Sequence, residues 1–175
     1  WAMAKKKVAP SRLARERKAQ VRRLLSFSLT VFLIKIMWLS SKEGRGLLGA
    51  DGENYLTGFN ALIRDGVFSK EGILNYWPAG YPLVIFFLTV FGKSWVLTTL
   101  SIFQTLIYAY AVYFFSTQLA RTRLRKYSFL VFLLISFNPT LALSSIVIGY
   151  ESLTASGFLL AIGIITKDIV EKNER

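Results

Sequence analysis

Three carboxylates stand beside long hydrophobic segments and are the groups best suited to acid–base chemistry. Asp51 and Glu53 follow the first hydrophobic segment, and Glu151 is the one charged residue in the forty from Tyr127 to Thr166. A carboxylate held near a membrane can accept a proton from a hydroxyl group. The simpler interpretations are a helix N-cap for Asp51 and a solvated turn residue for Glu151, and both stay open.

The chain contains neither cysteine nor histidine, and this limits the chemistry available to it. Disulfides, thiolate nucleophiles, zinc and haem ligation and a histidine general base are all excluded within the chain. Proton transfer must therefore use a carboxylate. An all-carboxylate site for a divalent metal ion at Asp51 and Glu53 is compatible with the same residues.

Long hydrophobic runs flank those carboxylates. The runs are longer than a soluble domain of this length would contain. Of the 175 residues 53% are apolar, and the mean hydropathy is +0.43. A helix of about 20 residues crosses a bilayer, at a rise of about 1.5 Å per residue. We therefore expect an all-α, polytopic membrane protein with a tight turn between its last two spans. The four predicted spans are 24–41, 95–120, 127–148 and 152–167.

The distribution of positive charge predicts the orientation of the chain. The formal net charge is +12; the arm 1–23 holds nine basic residues and one acidic residue, whereas the loop 42–94 is balanced. Basic segments stay on the cytoplasmic side of a membrane. We therefore expect the arm, the cluster 121–126 and the tail 168–175 to be cytoplasmic. The arm should form a helix on the membrane surface, with anionic membrane lipids rather than nucleic acid as its partner.

The loop 42–94 is then expected outside, with two helices of its own. Residues near 53–65 carry apolar side chains on one helical face, and Gly66 is a natural helix end. The apolar run 83–91 has nine residues, or about 14 Å of helix, which is too short to cross a core about 30 Å thick. A crossing there would also separate the two basic clusters, so we predict an interfacial helix.

Lys35 is the one charge within the first predicted span. A lysine in the outer half of a span can extend its ammonium group to the outer surface, and this is the interpretation that the sequence favours. The alternative is a cation that binds the phosphate of a lipid.

The order of these features resembles the N-terminal part of the GT-C superfamily of glycosyltransferases, nearest to bacterial members similar to protein O-mannosyltransferases and aminoarabinose transferases. Many members have two adjacent acids, whereas Gly52 separates Asp51 from Glu53 here. The matching features are the basic start, the first span, the acidic motif followed by Tyr55, the turn Trp77-Pro78-Ala79-Gly80-Tyr81-Pro82, the short apolar helix ending at Gly92, and the segments Ser136-Phe137-Asn138-Pro139 and Tyr150-Glu151-Ser152-Leu153.

The resemblance implies transfer of a sugar from a polyprenyl-phosphate donor to an acceptor at the outer face of a bacterial plasma membrane. It implies that Asp51, or its companion Glu53, deprotonates the acceptor, and that no cofactor or metal is needed. Because family members are longer, it also implies that the chain is part of a larger protein. The residues expected to contact the substrates are Tyr55, Arg64, Tyr81, Glu151 and Lys35.

A different class of function stays open, namely a non-catalytic membrane subunit that packs against partner helices. Three small residues in the last predicted span, Gly157, Ala161 and Gly163, suit close contact between helices. A transporter half is less well supported, because no pair of broken hydrophobic segments repeats along the chain.

Overall fold

The computed structural model describes residues 12–41, 47–48, 52–66 and 80–173. Almost all of them are helical, so the all-α prediction is confirmed, with one short parallel strand pair in addition. The helices are α1 Arg12–Ser41, α2 Gly52–Asp65, α3 Gly80–Leu88, α4 Val96–Leu119, α5 Ser128–Ser136, α6 Pro139–Ser144 and α7 Glu151–Asn173. The strands are β1 Leu47–Leu48 and β2 Val147–Ile148.

The central helix is α4, which packs along both α1 and α7 and so defines two ends of the molecule. At the basic end, Arg125 forms an ion pair with Glu16 (2.6 Å) and Arg121 forms one with Glu171 (3.7 Å). At the loop end, α3 packs against α4, and α2 packs against α3. The start of α1 and the basic cluster after α4 therefore lie at the same end, which is the arrangement that the charge pattern predicts.

Within the described residues, two helices are long and apolar enough to cross a membrane, Lys93–Leu119 and Glu151–Lys172. The other two predicted spans are not among them. α1 joins a basic half to an apolar half, and α5 and α6 have only 9 and 6 residues. In the apolar window of α4 44% of the residues are buried, compared with 11% in that of α7. The last helix therefore turns most of its apolar surface outward.

The predicted third span, 127–148, is not one helix. Proline has no amide hydrogen to continue a helix and is favoured at a helix start. Accordingly α5 ends at Ser136, and α6 begins at Pro139, where the side chain of Asn138 accepts a hydrogen bond from Leu141 N (3.1 Å) as an N-cap. The chain then leaves helical structure for the 145–150 segment, which contains β2, before α7 begins.

The first helix also differs from expectation, because the arm does not lie apart from the first span. α1 is continuous for 30 residues and contains neither glycine nor proline. With no residue to break the helix, residues 12–23 extend the axis of 24–41 and cannot turn along a membrane surface. The basic residues within 12–23 are therefore held at one end of the helix.

The loop helices occupy the stretches where the sequence predicts them. α2 ends at Asp65, followed by Gly66 with a φ of 78°, a left-handed conformation that glycine adopts without strain. The predicted helix 83–91 is α3 continued by a 3₁₀ turn, Thr89–Phe91. Gly92, with a φ of 111°, then redirects the chain into the turn that precedes α4.

Candidate functional site

The central helix carries three buried polar side chains on one face, Ser101, Gln104 and Thr105, each at most 1% exposed. A buried polar group is costly unless it is hydrogen-bonded. The partners here are backbone carbonyl groups of the 145–150 segment. Because this segment is not helical, its carbonyl groups lack the hydrogen bonds that a helix would give them. The bonds run from Ser101 Oγ to Ile146 O (3.3 Å), from Gln104 Nε2 to Gly149 O (2.9 Å) and from Thr105 Oγ1 to Ser145 O (2.9 Å).

Tyr81 connects α3 to this arrangement. Its hydroxyl donates to Gln104 Oε1 (3.0 Å) and accepts from Gly149 N (2.9 Å), and the side chain is 4% exposed. Burial raises the pKa of Tyr81, so the phenol stays protonated and able to donate. The single donor of this hydroxyl is therefore used inside the protein, although the resemblance assigns Tyr81 to a substrate.

Tyr55 joins α2 to the same place. Its ring is 1% exposed and packs edge-to-face on Tyr81 (4.8 Å between ring centres) and on Tyr150 (6.0 Å). Residues two apart on a helix lie on nearly opposite faces, so the burial of Tyr55 turns Glu53 outward, and Glu53 is exposed. We call Tyr55, Tyr81, Gln104 and the 145–150 segment the loop-end junction.

Glu151 begins α7 at the edge of the junction. Its side chain is exposed, and its carboxylate lies over Gly149, where a Cβ atom would collide with it. A negative charge in the first turn interacts favourably with the helix dipole, so a structural role alone accounts for this position. The residue nevertheless lies at the loop end, with its side chain open to solvent.

Lys35 lies where α1 meets α4 and α6. Its ammonium group donates to Ser145 Oγ (2.6 Å) and lies 4.7 Å from the ring centre of Tyr108. Both partners draw the side chain into the protein, because the hydroxyl accepts a hydrogen bond from the ammonium group and the aromatic face attracts its charge. The favoured interpretation from the sequence, an ammonium group extended to the outer surface, is therefore wrong.

An apolar cleft of about 240 Å³ opens beside the side chain of Lys35. Among the described residues, no carboxylate forms an ion pair with Lys35. A cation in such surroundings is costly unless it has a counterion, which makes it a candidate for binding an anion. We call this feature the Lys35 cleft; its lining is Ile34, Lys35, Trp38, Leu143 and Ile146.

Other predicted site residues do not join these two features. Arg64 is near the far end of α2, its side chain is 72% exposed, and it forms an ion pair with its neighbour Asp65 (2.7 Å). The hydrogen bonds from Arg64 hold the pKa of Asp65 below its usual range. Asp51 lies outside the described residues. In the part of the chain that the structure describes, no three carboxylates lie together in a way that could hold a metal ion.

Sequence reasoning missed two residues that organise the loop end, Gln104 and Ser145. The first left a signal, because an amide side chain near the middle of a long uncharged segment is expected to find a partner on another element. The second left none, because a serine in an apolar segment is common. Its importance depends on the break after α6 that brings it to Lys35.

The loop end therefore presents two kinds of chemistry. A cation in an apolar wall suits a ligand with an anionic head and an apolar tail, and exposed carboxylates on α2 and α7 suit proton transfer. The chain matches no family model, no curated protein and no solved structure.

Proposed function

We propose that the chain is the N-terminal, membrane-embedded part of a glycosyltransferase that moves a sugar from a polyprenyl-phosphate donor to an acceptor at the outer face of the membrane. The Lys35 cleft is the observation that carries the proposal. A polyprenyl phosphate combines an anionic head with a long apolar chain. The ammonium group suits the phosphate, and the apolar walls suit the first part of the chain.

In this proposal α1, α4, the α5–α6 pair and α7 provide four crossings of a bacterial plasma membrane, with the basic end in the cytoplasm. Irregular backbone is tolerated at membrane depth only where protein satisfies its polar groups. The hydrogen bonds from α4 to the 145–150 segment meet that requirement. The loop end then faces outside, on the side where the lipid-linked donor is used.

The reaction needs a base for the acceptor hydroxyl and a cation for the departing phosphate. Asp51 or Glu53 takes the proton, and Lys35 holds the phosphate while its bond to the sugar breaks. Glu151 adds a second carboxylate at the same end. The proposal includes no cofactor and no metal ion, and it gives no role to Arg64, which is paired with Asp65.

Tyr55 and Tyr81 act in this proposal as positioning residues. Their edge-to-face contact joins α2 to α3, and the hydroxyl of Tyr81 joins α3 to Gln104 and Gly149. Together they hold the loop helices, and thus Glu53 at the start of α2, against the membrane helices.

A non-catalytic membrane subunit is the second candidate function, and the outward surface of α7 favours it. Gly157 faces open space, whereas Gly163 is already used within the chain, against Phe114 of α4. An apolar helix face with a small residue suits contact with further helices. The exposed apolar side chains of α7 include Phe158, Ile162, Ile164, Ile165 and Ile169.

The first experiment measures binding of farnesyl phosphate, a short polyprenyl phosphate, to the full chain in a neutral detergent. Lys35→Met should weaken binding about 10- to 10²-fold, because a hydrogen bond to a charged group contributes about 1.5–3 kcal/mol. Lys35→Arg should keep most of the affinity, and farnesol should bind equally to all variants. Lys93→Met is the matched control, since Lys93 is an exposed lysine at the same end. Unchanged affinity in Lys35→Met would remove the cleft from the site.

The second experiment separates the enzyme from the subunit. In the intact protein, Asp51→Asn or Glu53→Gln should lower the rate of sugar transfer by about 10²- to 10⁴-fold, the usual contribution of a general base. Asn retains the ability to cap a helix, so a loss in Asp51→Asn would not come from the cap. Normal transfer by both variants would show that these acids are structural and would contradict the mechanism.

A further inference from the structure

We propose that the basic end binds one anionic phospholipid through its phosphate, in a groove between α1 and α5. The groove has a volume of about 790 Å³. Four basic side chains line it, and among the described lining residues Glu16 is the carboxylate, so four positive charges against one negative leave a net charge of +3. The basic lining residues are Arg23, Arg123, Arg125 and Lys126.

Hydrogen bonds and an ion pair fix the shape of this groove. Gln20 of α1 donates to Arg125 O (3.1 Å) and to the hydroxyl of Ser128 at the start of α5. The guanidinium group of Arg125 pairs with Glu16 (2.6 Å). The two walls are therefore tied together before a ligand binds, which lowers the cost of ordering them on binding.

No carboxylate among the described residues pairs with Arg23, Arg123 or Lys126, so no ion pair offsets these three positive charges of the groove. Aromatic rings hold two of them. The guanidinium group of Arg23 lies 4.7 Å from the ring centre of Phe129, and the ammonium group of Lys126 lies 4.8 Å from that of Tyr127. The positive charges therefore lie at the border between polar and apolar surface.

Both helices that form the groove also expose apolar side chains. Phe27 of α1 packs edge-to-face on Phe129 (5.1 Å) and is partly exposed, and Leu130 and Leu134 of α5 are more than half exposed. Acyl chains can lie on this surface while the phosphate stays with the cations. A nucleic acid offers no apolar tail, and its phosphates require cations spread along a strand. The lipid is therefore the ligand that both parts of the surface favour.

The test uses the full chain in a neutral detergent, where no charged membrane surface competes for the probe. Titration calorimetry measures binding of dioctanoyl phosphatidylglycerol, dioctanoyl phosphatidylcholine, inorganic phosphate and a single-stranded oligonucleotide. We expect saturable binding of phosphatidylglycerol alone, at one molecule per chain. The variant with Arg23→Gln, Arg123→Gln and Lys126→Gln should bind it about 10²-fold more weakly, and Arg123→Gln alone about fivefold more weakly.

The matched control removes the same charge from the same end, outside the groove, through Lys18→Gln, Arg22→Gln and Lys172→Gln. All three side chains are exposed. The control should keep its affinity within about twofold, and melting curves without lipid check that each variant is folded. Equal losses in both triple variants would show diffuse attraction and overturn the proposal. Equal binding of inorganic phosphate, binding of the oligonucleotide, or no saturable binding would overturn it as well. Sugar transfer takes no part in the measurement, so this proposal and the proposed function fail independently.

Discussion

The hydroxyl of Tyr81 should contribute more to stability than any exposed tyrosine hydroxyl in the protein. Tyr81→Phe keeps the ring and its contact with Tyr55 but removes one oxygen. That oxygen donates to Gln104 and accepts from Gly149 N. The variant therefore leaves a buried acceptor and a buried donor without this partner.

Each buried polar group that loses its partner costs about 1–3 kcal/mol. Two such groups give about 2–6 kcal/mol, and the lower half of that range applies because one of the two, Gln104 Oε1, is an acceptor, and a buried carbonyl oxygen without a partner is tolerated better than a buried N–H group. We therefore expect Tyr81→Phe to lower the free energy of unfolding by about 2–4 kcal/mol. Equilibrium unfolding in mixed detergent micelles measures this quantity.

Hydrogen exchange gives a local measurement of the same effect. The amide of Gly149 donates to Tyr81, so its protection should fall roughly 30-fold or more in Tyr81→Phe, at 1.4 kcal/mol for each factor of ten. Tyr110→Phe is the control, because the side chain of Tyr110 is 55% exposed. A loss in Tyr81→Phe no larger than in the control, with the Gly149 amide still protected, would refute the description of the loop-end junction.

Two further predictions concern packing and topology. Gly163→Ala should cost about 1–3 kcal/mol of stability, because the new Cβ would lie 2.8 Å from the ring of Phe114, whereas Gly157→Ala meets nothing within 4 Å and should be neutral or stabilising. Equal effects of the two changes on unfolding would contradict the close packing of α7 on α4. Single cysteines at the exposed positions Asn60 and Arg123, in a chain without cysteine, should react with an impermeant thiol reagent from opposite sides of sealed vesicles. Labelling of both from one side would exclude the proposed topology.

The elements that the sequence predicts well are those whose limits are set by charge or by glycine. Residues 95–120 were expected as a helix because they are uncharged, and α4 occupies nearly the same residues. α2 ends at Asp65, before Gly66, for the same kind of local reason. In both cases the residue types at the ends of the helix are sufficient to predict where it begins or ends, because those residues themselves form the helix end.

The 145–150 segment could not be predicted in this way. Its residues Ile146, Val147 and Ile148 are as apolar as those of a buried helix. In so short a run, hydrophobic periodicity cannot distinguish a strand from a buried helix. The hydrogen bonds that hold it come from α4, some 40 residues earlier. For the site, residue types indicated Lys35 and the acidic residues, but the position of Lys35 beside a cleft depends on that same distant contact.

The polar face of α4 also has a consequence for the order in which the chain is assembled. Gln104 leaves the ribosome 45 residues before Gly149, the partner that its amide binds. A lone α4 in a bilayer would carry the side chains of Ser101, Gln104 and Thr105 without these partners. This is unfavourable, because hydrocarbon offers no hydrogen bonds in exchange. In the proposed membrane topology, we therefore expect final placement of α4 to wait for synthesis of the segment that leads into α7, and the two helices to reach their native positions as one unit.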